Sequence, residues 1–344
     1  MSYLKYNNAD KLAHRLYLNN YLLSRSTYYL EKAILKNKIK STRLEQAVFV
    51  TGLARAGTTV IFNTLFQTQQ FASLKYSNMP FLLMPNFWRK MHKVKSTPLE
   101  ERKHGDGILV NNESPEAFDE YFWKAFLNDN FISDHYLLPH NVSENMLTEY
   151  IQYIKLICYA QDKTRYLSKN NNNILRLQSL SKLNIHKKIL LIYRHPAEHS
   201  MSLLKEHQLF CGYQKDDSFS LEYFDFLGHH EFGLHHKPFY LCDDDIAQMA
   251  SLKKENPDYW LYSWKSFYTY VLDHLSDDIY FIGFDDICNH PFRISAYLKE
   301  NLNLDFIPEI PERKKTSSYS FSFNQSLLQE CVYIYNKLNN LRKY

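Results

Sequence analysis

The sequence predicts an α/β protein, a single domain with a central parallel β-sheet flanked by helices. Two strand–loop–helix units and a general alternation of strand and helix patterns predict it. In VFVTGLARAGTTVIF, Val48–Phe62, an apolar strand runs into a loop bounded by Gly52 and Gly57, and Thr58 and Thr59 open an apolar helix. In KKILLIYRHPAEHSMS, Lys187–Ser202, a continuous apolar run of the kind that fills a buried parallel strand ends at Arg194, and Pro196 stands where a helix can begin. Strands alternating with helices are joined by crossovers, which make the sheet parallel and cover both its faces.

The elements follow in order. Residues 9–38 carry the periodicity of one or two amphipathic helices, and residues 1–45 form an N-terminal helical extension. The first strand spans Gln46–Thr51, and the helix after it spans Thr58–Gln69. Asn78–Trp88 is apolar but broken by Pro80 and Pro85, which predicts a packed loop or short helices lining a pocket. Residues 93–112 are polar and charged and hold two of the eight glycines, as in a surface loop or lid. Ser114 as N-cap, Pro115 at the first helical position and Glu116 in the first turn predict a helix. A second helix starts at Ser143, after the break at Pro139, and runs to about Ala160. Tyr166–Ser168 predicts a short strand, followed by an Asn-rich turn and a helix from about Leu175. Then come the strand Ile189–Tyr193, an aromatic helix around Pro257–Leu275, the strand Ile279–Gly283 and a helix after Pro291, which completes an α/β domain over 46–306. Residues 307–320 read as an exposed linker, and a closing helix over about Asn324–Leu338 packs on the domain.

With 344 residues, 45% hydrophobic and 16% aromatic, the chain can bury a large core. Its 41 basic and 37 acidic residues leave a net charge of +4 spread along the sequence, which suits a small anionic ligand. There is no concentrated basic arm, so the expectation is no nucleic-acid partner. The five cysteines are far apart and lack metal spacing, as free thiols in a reducing compartment would be. No run of about 18 apolar residues occurs, so the expectation is a cytoplasmic protein with no transmembrane segment.

The first loop has the outline of a nucleotide phosphate loop, G-x-x-x-x-G-K-[ST], but Thr58 occupies the lysine position and the charge is on Arg55. A strand–loop–helix turn collects backbone N–H groups and a positive helix end around one point, where phosphate or sulfate binds. Gly52 and Gly57 allow close approach, Thr58 and Thr59 offer hydroxyls, and Arg55 adds a fork of donors. Arg194 stands at a strand end, where ligands bind in open α/β sheets, and Ser202 lies eight residues on, about two helical turns away. Such a pair can clamp a second phosphate.

Together the two units resemble the P-loop-like sulfotransferase superfamily, which transfers a sulfuryl group from 3′-phosphoadenosine 5′-phosphosulfate (PAPS). Its first motif, [KR]-S-G-T-T after a strand, corresponds here to Arg55, Ala56, Gly57, Thr58 and Thr59, which the resemblance makes the 5′-phosphosulfate site. Its second motif, often R-D-P-R-D-x-x-x-S, corresponds to RHPAEHSMS, matching at Arg194, Pro196 and Ser202, the 3′-phosphate site. The resemblance covers roughly residues 46–300 and is nearer to bacterial-type members. SKNNNNILRLQSL also resembles the Lys-Asn or Lys-Thr-Pro segment before the second motif in carbohydrate and protein sulfotransferases. Ala56 replaces the loop serine, His195 and Ala197 replace Asp and Arg, and Lys188, Lys205 or His207 could stand in for the lost base.

The resemblance implies in-line sulfuryl transfer from PAPS to an acceptor hydroxyl on a saccharide or similar small metabolite. Positioning and electrostatics drive it, and no metal is required. Arg55 would stabilise charge on the leaving bridging oxygen. The acceptor needs a general base, and related families use a Glu or a His downstream of the loop. Residues 60–98 contain no carboxylate, so the candidates are His104, Asp106, Glu113 and Glu116. His104 comes first and Asp106 next, because Glu116 is explained by the helix dipole. The alternatives are a P-loop kinase and a non-catalytic PAPS- or nucleotide-binding protein. In GHHEFGLHHKPF, His229, His230, His235 and His236 lack a standard metal spacing and suggest a surface or substrate-facing loop. Trp123, Trp260 and Trp264 fall on predicted helices and read as core.

Overall fold

The computed structural model describes residues 6–92, 97–101, 109–312 and 322–344. Its strands are β1 Gln46–Thr51, β2 Glu100–Glu101, β3 Leu109–Val110, β4 Arg165–Lys169, β5 Lys187–Tyr193 and β6 Ile279–Gly283. Four of them form a parallel sheet in the order β4-β1-β5-β6. Val50 of β1 lies opposite Lys169 on one side and Leu190 on the other, and Tyr193 lies opposite Gly283. β1 and β4 end within one residue of each other, and β5 and β6 run two residues further in the same direction. The chain leaves β1, adds β4 on one side and then β5 on the other, so a crevice opens beyond the end of β1.

β1 is buried along its whole length. Its period-two alternation divides the core between the two faces of the sheet. Val48 and Val50 join Leu190, Ile192 and Ile282 on one face, packed with Ile61 and Leu65 of the Thr58–Gln67 helix and Leu298 of the Pro291–Leu302 helix. Ala47 and Phe49 join Ile189, Leu191 and Phe281 on the other, with Ile154 and Ile157 of the Glu144–Gln161 helix and Trp264 and Phe267 of the Pro257–Asp273 helix. Trp123, Trp260 and Trp264 are buried, as the sequence suggests.

Helix starts marked by proline or a capping side chain fall where expected, at Pro196, Pro257, Pro291 and after Ser143 and Asn324. Other expectations are corrected. The N-terminal segment forms three helices, Asn8–Leu18, Tyr21–Ile34 and Lys36–Ser41, because the Asn20 side chain accepts from the Leu23 N–H and starts a new helix. The helix expected from Ser114 begins at Glu120 instead. Pro115 is drawn into an antiparallel bridge with Lys75, and the Glu116 N–H donates to the Leu74 carbonyl. The expected surface loop carries the short antiparallel pair β2–β3. The Asn-rich turn is a 3-10 helix, Asn171–Arg176, continued by Leu177–Ser181. Helices at Ser218–Leu227, Asp245–Ser251 and Phe284–Asn289 have no counterpart in the sequence reading.

The C-terminal helix, Gln325–Asn340, reaches the sheet end, where Tyr193 Oη donates to Asn339 Oδ1 at 2.8 Å and Tyr335 Oη to Asp285 Oδ2 at 2.7 Å. The five cysteines are free thiols. Among the described residues no helix is long and apolar enough to cross a membrane.

Candidate active site

The crevice at the strand ends is a cavity of about 210 Å³, lined by Arg55, Gly57, Thr58 and Thr59 of the first loop and by Arg194 of the second. The first loop is shaped by backbone conformations that glycine supplies. Gly52 has φ +147°, and a Cβ there would meet the Ile192 carbonyl oxygen at 2.3 Å. Gly57 has φ +102°, and a Cβ would meet the Phe284 ring at 2.5 Å. Between them Arg55 adopts φ +70°, a left-handed conformation unusual for a residue with a side chain. The Gly57 cap gives no side-chain hydrogen bond to the start of the Thr58–Gln67 helix, and Val60 N–H turns back to the Gly57 carbonyl at 3.0 Å, which leaves the N–H groups of Thr58 and Thr59 without an intrahelical acceptor.

Two interactions tie the loops together. His199, fully buried on the Pro196–Asp216 helix, binds the Ala54 carbonyl through Nε2 at 2.7 Å. Burial pulls its pKa down to about 3, so the imidazole is neutral and Nε2–H is the donor. Arg55 Nε lies 3.5 Å from Ser202 Oγ and 3.6 Å from Glu206 Oε2, one turn further along the same helix.

Arg194 is buried under the ring of Phe284, its guanidinium carbon 4.7 Å from the centroid. One terminal nitrogen is 3.4 Å from Glu198, while Nε is buried without a partner. A desolvated guanidinium N–H of this kind favours an anion. The indole of Trp264 donates to the Arg194 carbonyl at 3.1 Å and holds this loop from below. Phe284 touches both loops, and the sequence reading missed it. Its signal is its position directly after β6, at the carboxyl end of a parallel strand.

The opposite end of the first loop faces Lys169, the last residue of β4. Its Nζ lies 2.8 Å from Glu116 Oε1 and 3.2 Å from Thr59 Oγ1. Tyr76 Oη donates to the other Glu116 oxygen at 3.2 Å. Tyr223 lines the same region, and burial holds its phenol well above the usual range, with Tyr6, Tyr76 and Glu116 adding to the effect. Lys169 is fixed from behind. Thr51 Oγ1 donates to the Asn170 carbonyl at 2.9 Å, and Asn170 Nδ2 donates to Glu120 at 2.7 Å. Glu120 is in turn held by both terminal nitrogens of Arg176, at 2.8 and 2.7 Å.

Of the base candidates, His104 and Asp106 lie outside the described residues. Glu113 pairs with Lys75 at 2.9 Å and is not on the cavity wall. Glu116 is on the wall. Its assignment to a helix's first turn fails, since the segment is bridged to Lys75 and turns before the helix begins at Glu120, with the Glu116 side chain lining the cavity. Ala56 is fully buried in the apolar cluster with Val50 and Val60, facing away from the cavity. Lys188 lies at the far end of β5, bound to Tyr280, and His207 packs against Trp260 and His236, so neither replaces the base missing at Ala197.

The histidine cluster disperses. His229 lines the cavity and binds the Ala117 carbonyl through Nε2 at 2.9 Å. His235 binds Asp225 at 2.6 Å, and His236 is buried against Tyr259. His230 lies 3.6 Å from Asp225, yet burial lowers its pKa to about 3 and keeps it neutral. No group of three or more metal-ligating side chains occurs among the described residues.

No model of a protein family matches the chain, and no curated protein matches it. Solved structures similar to it include sulfotransferase STF1 of Mycobacterium tuberculosis H37Rv, at 12% identity and TM-score 0.48, covering 92% of this chain and 79% of that one. Sulfotransferase STF9 of Mycobacterium avium matches at 13% identity and TM-score 0.46, covering 95% and 76%. A sulfotransferase of Alicyclobacillus acidocaldarius matches at 14% identity and TM-score 0.40, covering 86% and 96%. With likenesses this distant, the functional reading rests on the motifs and on the geometry of the two loops.

Proposed function

We propose that the protein is a sulfotransferase that moves a sulfuryl group from PAPS to an acceptor hydroxyl. The observation that carries this reading is Lys169, which spans the anion loop at Thr59 and the carboxylate of Glu116. The loop amides, Arg55, Thr58 and Thr59 receive the 5′-phosphosulfate. Arg194 and Ser202 receive the 3′-phosphate. Phe284, stacked on Arg194, supplies an apolar face beside it.

The acceptor oxygen attacks sulfur in line. A new S–O bond forms, the bond from sulfur to the bridging oxygen breaks, and its electron pair leaves with 3′,5′-ADP. Arg55 and Lys169 offset the charge that grows on that oxygen. Glu116 takes the acceptor proton. In the resting site it is paired with Lys169, so Lys169 turns toward the sulfuryl oxygens as the donor binds and leaves the carboxylate oriented by the Tyr76 hydroxyl and the Ala117 N–H. Ala56 contributes its backbone to the loop, and its apolar side chain belongs to the core. We place the catalytic unit at 46–306, preceded by an N-terminal helical extension that includes the helices Asn8–Leu18, Tyr21–Ile34 and Lys36–Ser41, with the C-terminal helix Gln325–Asn340 packed on it. The five free thiols support a cytoplasmic setting.

Transfer of labelled sulfate from PAPS tests the proposal. Wild type should transfer label, and Arg55→Ala should lower kcat by about 10²–10³-fold. Equal rates would remove Arg55 from the assignment.

A further inference from the structure

The wall of the cavity beyond Glu116 is built from six apolar or aromatic side chains on four separate segments. Phe118 follows Glu116 on the segment before the Glu120–Leu127 helix, Phe210 comes from the Pro196–Asp216 helix, Tyr223, Phe224 and Leu227 from the Ser218–Leu227 helix, and Phe232 from the loop after it. Phe210 packs against Phe224 with ring centroids 5.2 Å apart and against Phe232 at 5.9 Å. On the near side the ring of Phe118 meets Tyr76 edge-on at 5.3 Å.

Two of the polar groups on this side have partners, while Tyr223 Oη and Asn171 Oδ1 are buried away from the cavity surface without one among the described residues. His229 Nε2 donates to the Ala117 carbonyl at 2.9 Å, and Glu231 accepts from Asn171 Nδ2 at 3.0 Å. A saccharide carries a hydroxyl on almost every ring carbon. Entering this space would strip those hydroxyls of water and offer few partners in return, which is strongly unfavourable. An apolar ring loses nothing on desolvation and gains edge and face contacts with the phenylalanines.

Resting on the sulfotransferase reading, we propose that the acceptor is an apolar, ring-bearing alcohol or phenol rather than a saccharide. Its ring lies against Phe210, Phe224 and Phe232. Its single hydroxyl points back to Glu116, which takes the proton as the oxygen bonds to sulfur and 3′,5′-ADP departs. The wall fixes which hydroxyl reacts by admitting only one polar end.

The test uses the full chain loaded with 3′,5′-ADP, with 2-naphthol and N-acetylglucosamine as probes in calorimetry, followed by transfer from labelled PAPS. 2-Naphthol should bind the loaded protein and be sulfated with a kcat/KM at least roughly 100-fold above that of the sugar. Phe224→Asn should lower kcat/KM for 2-naphthol by about tenfold or more, mainly through KM, while Phe224→Leu lowers it less and both keep the affinity for 3′,5′-ADP. Equal or better use of the sugar overturns the proposal, as does a loaded protein that binds no 2-naphthol. Failure to bind 3′,5′-ADP at all would instead overturn the donor assignment beneath it.

Discussion

Lys169 Nζ stands between Thr59 Oγ1 at 3.2 Å and Glu116 Oε1 at 2.8 Å, so one ammonium joins the anion loop to the carboxylate across the crevice. Both contacts come from strand and loop ends whose positions are set by the sheet register, in which Lys169 lies opposite Val50. Lys169→Ala should lower kcat by about 10²–10³-fold, the loss of one preorganised donor to developing charge. Steady-state kinetics at saturating PAPS checks it. An unchanged kcat would reduce Lys169 to a structural ion pair.

Arg194 should recognise the 3′-phosphate. Its Nε is buried without a partner, and the ring of Phe284 holds its plane. A hydrogen bond to a charged group contributes about 1.5–3 kcal/mol, so Arg194→Ala should weaken 3′,5′-ADP binding by roughly 10–100-fold. Binding of 5′-AMP, which lacks that phosphate, should stay as in wild type. Calorimetry with the two nucleotides separates the outcomes, and equal losses for both would contradict the assignment.

Gly57→Ala should abolish donor binding while leaving the fold. The added methyl would lie 2.5 Å from the Phe284 ring at a φ of +102°. Loop and ring must part, and both line the cavity. Loss of 3′,5′-ADP affinity alongside an unchanged far-ultraviolet circular dichroism spectrum is the expected result.

Beneath Lys169, Arg176 and Glu120 form a fully buried bidentate pair, with Arg176 5.1 Å from the rings of both Trp123 and Phe131. Arg176→Leu would leave the Glu120 charge buried and uncompensated and should cost about 3–5 kcal/mol. A drop in the denaturant midpoint measures it. A variant as stable as wild type would show that the pair is dispensable.

Acid should destabilise the protein through buried imidazoles. Burial lowers the His199 pKa to about 3, and burial followed by the Arg176 charge lowers that of His140 to about 4. Unfolded, each returns to about 6.5. Between these values the unfolded chain binds more protons, so stability falls as pH drops below about 6.5, and the His199 contribution is lost toward pH 3. Protonation of His199 would add a second donor at Nδ1, which is buried without a partner. Asp119 and Glu31, whose pKa values burial raises, act in the opposite sense. His199→Gln should therefore flatten the slope of stability against pH below 6.5, measured by urea unfolding. An unaltered slope would show that His199 is not the group responsible.

The parts of this architecture legible in the sequence are those whose cause is local. Apolar runs ending in Gly52 and Arg194 mark buried parallel strands with ligand-facing ends. Proline at a first helical position marks helix starts at Pro196, Pro257 and Pro291. Glu116 shows the limit of such reasoning. Ser-Pro-Glu is a good helix opening by composition, but Pro115 pairs with Lys75, forty residues earlier in the chain, and that pairing leaves no local trace. Lys169 falls in the SKNNNNILRLQSL segment, but its partners Thr59 and Glu116 show only once the sheet sets β4 beside β1, and Phe284 shows only once β6 is set beside β5. The Ser218–Leu227 helix, which supplies much of the apolar wall, follows another helix after one residue, so no loop announces it.

The most direct test is the rate of sulfate transfer from labelled PAPS by wild type and Glu116→Gln, with 3′,5′-ADP affinity measured on both. The account predicts transfer by wild type, a rate lower by about 10²–10⁴-fold in the variant, and equal affinity for 3′,5′-ADP. Transfer by Glu116→Gln at the wild-type rate, or a wild-type protein that binds 3′,5′-ADP but moves no sulfate to any hydroxyl, would contradict it.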